Sequence, residues 1–142
     1  MTETFSVRDH RQLTRLYCMN GGYHLQILED MTVAGTREEN NYSVLRIKAT
    51  SPGVVVIEGT EAGLYLSMNQ DGKLYGSTSV TDECYFLERM EENHYNTYQS
   101  NKHGEKWYVG IKKNGKMKLG PRTHIGQKAI FFLPRQVEQP QE

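Results

Sequence analysis

The sequence predicts an all-β chain folded as a β-trefoil: three pseudo-repeats, twelve strands and little helix. Three observations predict it. The first is self-similarity at about forty residues. Segments 22–33, 63–74 and 106–117 superpose so that Leu25, Leu66 and Val109 correspond, as do Ile27, Met68 and Ile111, and then Val33, Leu74 and Met117. A period of that size sets the architecture before any local assignment. Three copies are too few for a propeller and suit a closed threefold arrangement, six strands forming a short barrel and six capping one end. The second is alternation of apolar and polar residues with period two, which marks half-buried strands. The third is turn chemistry between those runs, with Asp71-Gly72 and Asn114-Gly115 as hairpin dipeptides.

Taken in order, residues 1–14 are polar and aperiodic and read as a leader, 15–136 as the trefoil domain and 137–142 as a tail. Strands are expected around Tyr23/Leu25/Ile27, Leu45/Ile47, Val55/Ile57, Leu64/Leu66/Met68, Tyr85/Leu87, Tyr108 to Ile111, and Ile130 to Leu133. The first repeat carries Asp30-Met31 where the others have Asp-Gly and Asn-Gly, and methionine resists positive φ. That turn must be built differently or carry strain. Further turns are expected at 60–63 and at Gly120-Pro121. The best helical candidate is the short stretch from Glu88 to His94.

Length and composition exclude several classes. The 142 residues suffice for one domain with a substantial core. No apolar run approaches a membrane span. The first ten residues lack the basic start and apolar centre of a conventional signal peptide, so on composition alone the chain looks cytosolic. Cys18 and Cys84 sit in apolar strand contexts, where a buried free thiol is favoured over a bridge. There is no Gly-x-Ser-x-Gly, no glycine-rich phosphate loop, no Cys-x-x-Cys and no zinc-spaced histidine pair, so neither an enzyme nor a metal site nor a cofactor is expected.

Charge is zero in total and uneven in distribution. Residues 1–105 carry 9 Lys/Arg against 15 Asp/Glu, whereas 106–135 carry 8 Lys/Arg and no carboxylate. Six of these cations lie between Lys112 and Lys128, folded back on one another by the Asn-Gly and Gly-Pro turns. Ordered turns concentrate the ammonium groups so that their fields add. Backbone N–H groups and the amides of Asn114 and Gln127 can also meet anionic oxygens. Nucleic acid is a poor fit, since no aromatic residue for base stacking falls between Tyr108 and Phe131; a sulfated or carboxylated polysaccharide fits better. A second, dispersed set comprises Tyr17, Arg37, Asn93, Tyr95 and the Phe132-Leu133-Pro134 end. Spacing alone does not decide whether these fill the core or form a contact surface.

The segments Leu-Tyr-Cys-Met-Asn-Gly-Gly (16–22), Gly-Thr-Arg (35–37), Gly-Leu-Tyr-Leu-Ser-Met (63–68), Leu-Tyr-Gly-Ser (74–77), Glu-Cys-Tyr-Phe-Leu-Glu-Arg-Met-Glu-Glu-Asn-His-Tyr-Asn-Thr-Tyr (83–98), Lys-Lys-Asn-Gly (112–115), Gly-Pro-Arg-Thr-His (120–124) and Gly-Gln-Lys-Ala-Ile-Phe-Phe-Leu-Pro (126–134) carry a resemblance. From Leu16 to Pro134 the chain resembles the fibroblast growth factors, most closely their acidic type. The resemblance implies a mitogen that binds the immunoglobulin-like ectodomains of receptor tyrosine kinases, with heparin or heparan sulfate bridging ligand and receptor into a signalling dimer. It implies roles in proliferation, differentiation and angiogenesis, and a protein that is monomeric alone. It also implies export without a signal peptide, with cytoplasmic and nuclear pools besides. The heparin surface falls on Asn20, Lys112, Lys113, Asn114, Lys118, Arg122, Gln127 and Lys128, with Lys116 as an added contact. The receptor surface falls on Tyr17, Gly22, Arg37, Glu88, Asn93, Tyr95 and Leu133.

Departures from the family pattern are Leu119 in place of a usual basic residue, Arg135 in place of an apolar one, and Met117 where a third cysteine is common. The leader also lacks a Lys-Lys-Pro-Lys element, which bears on nuclear import. Two rivals remain open at this point: an intracellular, receptor-independent relative, and a trefoil lectin. A lectin would need an aromatic and an acidic or amide pair repeated in each lobe, and no such triplicate is present.

Overall fold

The computed structural model describes residues 13–138. The expected leader, up to residue 12, and the end of the tail, 139–142, lie outside the described residues. Ten strands follow in order: β1 Leu13–Cys18, β2 His24–Ile27, β3 Val33–Thr36, β4 Leu45–Ser51, β5 Val54–Gly59, β6 Leu64–Met68, β7 Leu74–Ser77, β8 Phe86–Met90, β9 Asn96–Ser100 and β10 Phe132–Gln136. The only helical turns among the described residues are four short 3-10 turns. Strand β1 begins two residues inside the expected leader, because Leu13 pairs with Arg46 and Thr14 with Leu45.

Pairing closes a ring. β1 pairs β4, β4 pairs β5, β5 pairs β8, β8 pairs β9, β9 pairs β10, and β10 returns to β1, antiparallel throughout. Closure leaves the six barrel strands without a free edge. The β2–β3 hairpin hangs on β1 and the β6–β7 hairpin on β5. The third hairpin hangs on β9 through a bridge between Gln99 and Tyr108. This is the β-trefoil that the repeat predicts.

Twelve strands were expected, and ten form among the described residues. In the third lobe the last two are reduced to an isolated bridge between Ile111 and Met117. The bridge is framed by Lys112 N–H to Lys116 O and Lys118 N–H to Gly110 O, both at 2.8 Å. Beyond Lys118 the chain leaves the ladder, because Pro121, with no N–H, sits in a 3-10 turn over Gly120–Arg122. The helical candidate is also corrected. Glu88 to Met90 belong to β8, which pairs along its length with β9, and the chain then turns with His94 at φ 70. Phe86, not Tyr85 or Leu87, is the residue of that run that reaches the core.

Leu25, Leu66, Val109, Ile27, Met68 and Ile111 are all buried in one core cluster. The three equivalent sets therefore meet about the pseudo-threefold axis. The three hairpin turns share one construction. Met31 N–H donates to Leu28 O, Gly72 N–H to Asn69 O and Gly115 N–H to Lys112 O, each at 2.9 Å. The last residue of each turn has positive φ, at 76, 82 and 88°. Its carbonyl then accepts from the next lobe: Met31 O from Gly76 N–H (2.9 Å), Gly72 O from Gly120 N–H (2.8 Å) and Gly115 O from Gly35 N–H (2.7 Å). The ring ties the lobes together only if all three turns take the left-handed conformation, so Met31 adopts it at a cost that glycine avoids.

Candidate functional site

The basic run is held by its own turns. Lys112 N–H donates to Lys116 O (2.8 Å) and Lys118 N–H to Gly110 O (2.8 Å). Asn114 Oδ1 accepts from Lys116 N–H at 3.0 Å. The Gly120–Arg122 turn is locked by Thr123, whose hydroxyl donates to Gly120 O (2.6 Å) and accepts from Tyr108 N–H (2.9 Å). Gln127 closes the next loop from both ends, its Oε1 accepting from His124 N–H (3.1 Å) and its Nε2 donating to Arg122 O (3.2 Å). Asn20 bridges from β1, Nδ2 donating to Ile111 O at 3.0 Å. Tyr23 fastens the hairpin tip, its hydroxyl donating to Lys113 O at 2.9 Å.

These bonds join the backbone segments that carry Asn20, Lys112, Lys113, Asn114, Lys116, Arg122, Gln127 and Lys128. Asn20 and Gln127 each commit one amide N–H to shaping the loops, and each NH2 group carries a second donor. Lys112, Lys113, Lys116, Arg122 and Lys128 are exposed. The ion pairs among the described residues are Arg46–Glu58, Lys102–Asp82 and His103–Glu83. None involves the basic run. Lys118 stands somewhat apart: half-buried, it lines a hollow near the cap axis with Asp30, Met31 and Lys73.

The dispersed set gathers elsewhere. Tyr17 lies opposite Leu133 on β10 and opposite His24 on β2. Its hydroxyl would stand 3.3 Å from a Cβ at Gly22, a close approach that keeps the turn against the ring. Tyr95 packs on a second small core of Tyr108, Ile130 and Phe131, and Asn93 Oδ1 accepts its N–H at 3.0 Å. Glu88 accepts from the Tyr98 hydroxyl at 2.8 Å, and the Tyr98 ring meets Phe132 edge-on at 6.2 Å. Burial and the Glu88 carboxylate together push the Tyr98 phenol far up. Leu133 is exposed, Tyr17 and Tyr95 half-buried. This answers the question left open by spacing, since both tyrosines fill space and also present a face. Arg37 lies at the border of the two surfaces. Its Nε donates to Gly21 O (3.1 Å) and its guanidinium covers the Tyr23 ring at 4.4 Å.

Sequence reasoning missed Tyr23, the clamp between Arg37 and the basic hairpin. Arg135, singled out in the sequence as a departure from the family pattern, places its guanidinium 5.6 Å over the Tyr17 ring. Alternation marked Tyr23 as a strand residue, and nothing in the chain announced its hydroxyl's partner. No helix among the described residues is long and apolar enough to cross a membrane.

Comparison with known proteins places the chain in a family. The family model described as fibroblast growth factor matches residues 12–133. A Danio rerio protein provisionally named fibroblast growth factor 1 is 80% identical over 137 residues, covering 96% of this chain and 93% of that protein. Fibroblast growth factor 1 of Cynops pyrrhogaster is 54% identical over 138 residues, covering 94% and 93%. The Xenopus laevis protein of the same name is 52% identical over 138 residues, covering 94% and 89%. With that match spanning nearly the whole barrel and all three hairpins, the chain belongs to the fibroblast growth factor family.

Proposed function

We propose that this growth factor is a heparin- or heparan-sulfate-dependent ligand of fibroblast growth factor receptor tyrosine kinases, acting outside the cell to drive proliferation, differentiation and angiogenesis. The observation that carries the reading is the concentration of Lys112, Lys113, Lys116, Arg122 and Lys128 on linked turns without a carboxylate partner among the described residues. Mutual repulsion makes such a rim costly in isolation, and sulfate or carboxylate groups on a polysaccharide relieve it. Binding to the folded state alone then stabilises the protein by mass action. The Tyr17–Tyr95–Leu133 face supplies the aromatic and aliphatic anchors that dominate protein interfaces. No cofactor takes part beyond the polysaccharide co-ligand, and catalysis belongs to the receptor's kinase. The protein is a monomer until polysaccharide and receptor pair it, and it leaves the cell by a signal-peptide-independent route.

The test is receptor phosphorylation in receptor-bearing cells lacking heparan sulfate. The reading expects weak phosphorylation with the protein alone and strong phosphorylation when heparin is added. No phosphorylation under either condition overturns it and favours the intracellular relative.

A further inference from the structure

One part of the expected receptor face has chemistry that an apolar interface does not need. Arg15 and Arg135 stand directly opposite each other on β1 and β10. Like charges in that position repel across a sheet. Arg15 is fixed in place, Nε donating to Ser43 Oγ at 2.8 Å and its terminal nitrogen to Asn40 O at 3.1 Å. Arg135 has no ion pair among the described residues. Beside them His24 is only 4% exposed, and neither ring nitrogen has a hydrogen-bond partner. A buried polar group left without a partner costs free energy and calls for an explanation. The Tyr17 ring meets His24 edge-on at 5.7 Å and carries the Arg135 guanidinium over its face. All three basic residues line one hollow of about 400 Å³, with Glu39 and Glu138 among its other walls.

We propose that this hollow is a carboxylate pocket, and that it receives an acidic side chain of the protein partner that docks on Tyr17 and Leu133. The proposal rests on the receptor reading above and deepens it. A carboxylate seated there accepts from the guanidinium of Arg135, separates the two arginines with a negative charge, and acts through its field on the His24 ring, whose nitrogens are buried behind the hollow's wall. Arg15, already anchored, keeps the pocket's shape. Glu39 and Glu138 oppose any incoming carboxylate, so the group must seat against Arg135 and away from them. In the free protein, burial pushes the His24 imidazole below its ordinary value, Arg135 and Arg15 push it further down, and Glu39 pulls it back. An incoming carboxylate reverses that balance, so docking takes up a proton.

The experiment is calorimetry of the full chain against the receptor ectodomain at pH 6.5, in two buffers of different ionisation enthalpy. Variants are Arg135→Met, His24→Phe and Leu133→Ala, and retention on heparin is measured in parallel. The expected result is proton uptake by the wild type, its loss in His24→Phe, and roughly tenfold weaker binding for Arg135→Met with unchanged heparin retention. No uptake and full affinity for Arg135→Met, with Leu133→Ala still weakened, overturns the pocket and leaves the receptor reading standing. Heparin retention that falls with Arg135→Met makes the occupant a sulfate and also overturns it. Absence of any wild-type binding removes the receptor reading and the pocket together.

Discussion

Replacing Met31 by glycine should stabilise the protein. Met31 is the one non-glycine among the three hairpin turn residues whose carbonyls tie the lobes, and it sits at φ 76. An L-residue in that region costs roughly 1–2 kcal/mol. Glycine returns about 0.5–1 kcal/mol of this through its greater freedom in the unfolded chain. The methionine side chain is 47% exposed, so its removal forfeits little burial. The net gain is about 0.5–1 kcal/mol, which corresponds to a rise in Tm of about 2–4 °C for a domain of this size. Urea unfolding followed by Trp107 fluorescence, with thermal melts alongside, measures it. Met31→Ala is the control: it keeps the strained backbone and removes the same side chain, so it should gain nothing. A Met31→Gly variant no more stable than wild type, or a Met31→Ala variant equally stabilised, would refute the argument that the turn stores strain.

Two other predictions follow from buried groups. His24 is held below its ordinary value in the folded state, so as pH falls below about 6.5 the unfolded chain binds the proton first. Wild-type stability should therefore decline through that window, and His24→Phe should flatten the decline and raise stability by about 1 kcal/mol at neutral pH; parallel denaturant titrations from pH 7.5 to 5 test both. Cys18 and Cys84 are buried free thiols. Burial pushes the Cys18 thiol up, and its Sγ donates to Ala129 O at 3.3 Å. A thiol reagent should accordingly label the native protein no faster than the chain unfolds, whereas rapid labelling without unfolding would contradict the burial.

The barrel, the three hairpins and their core positions were legible because burial about a threefold axis repeats the same choices at Leu25, Leu66 and Val109. Asp30-Met31 was legible as an anomaly, and the structure resolves it as a strained turn of the same design. The weakened third hairpin was not legible. It depends on where the 3-10 turn over Gly120–Arg122 takes the chain out of the ladder just past Lys118. The basic surface was visible as a run of like charge. The structural duties of Asn20 and Gln127 were not, because both side chains bond to backbone atoms that only the folded loops bring near. Glu88 to His94 misled for a related reason: its composition suits a helix, but pairing with β9 and the burial of Phe86 and Tyr98 outweigh local preference. Arg15, His24 and Arg135 lie in separate stretches of sequence, and only register places them on one face.

The most direct test of the central idea, an anion-receptive rim distinct from the docking face, is the salt dependence of heparin affinity. Each cation that neutralises a polyanion contributes close to one unit of slope in log affinity against log salt. For the triple variant Lys112→Gln, Lys113→Gln, Lys128→Gln, the slope should become shallower by roughly two to three units, while Leu133→Ala leaves it unchanged. A triple variant whose slope equals that of the wild type would contradict the account.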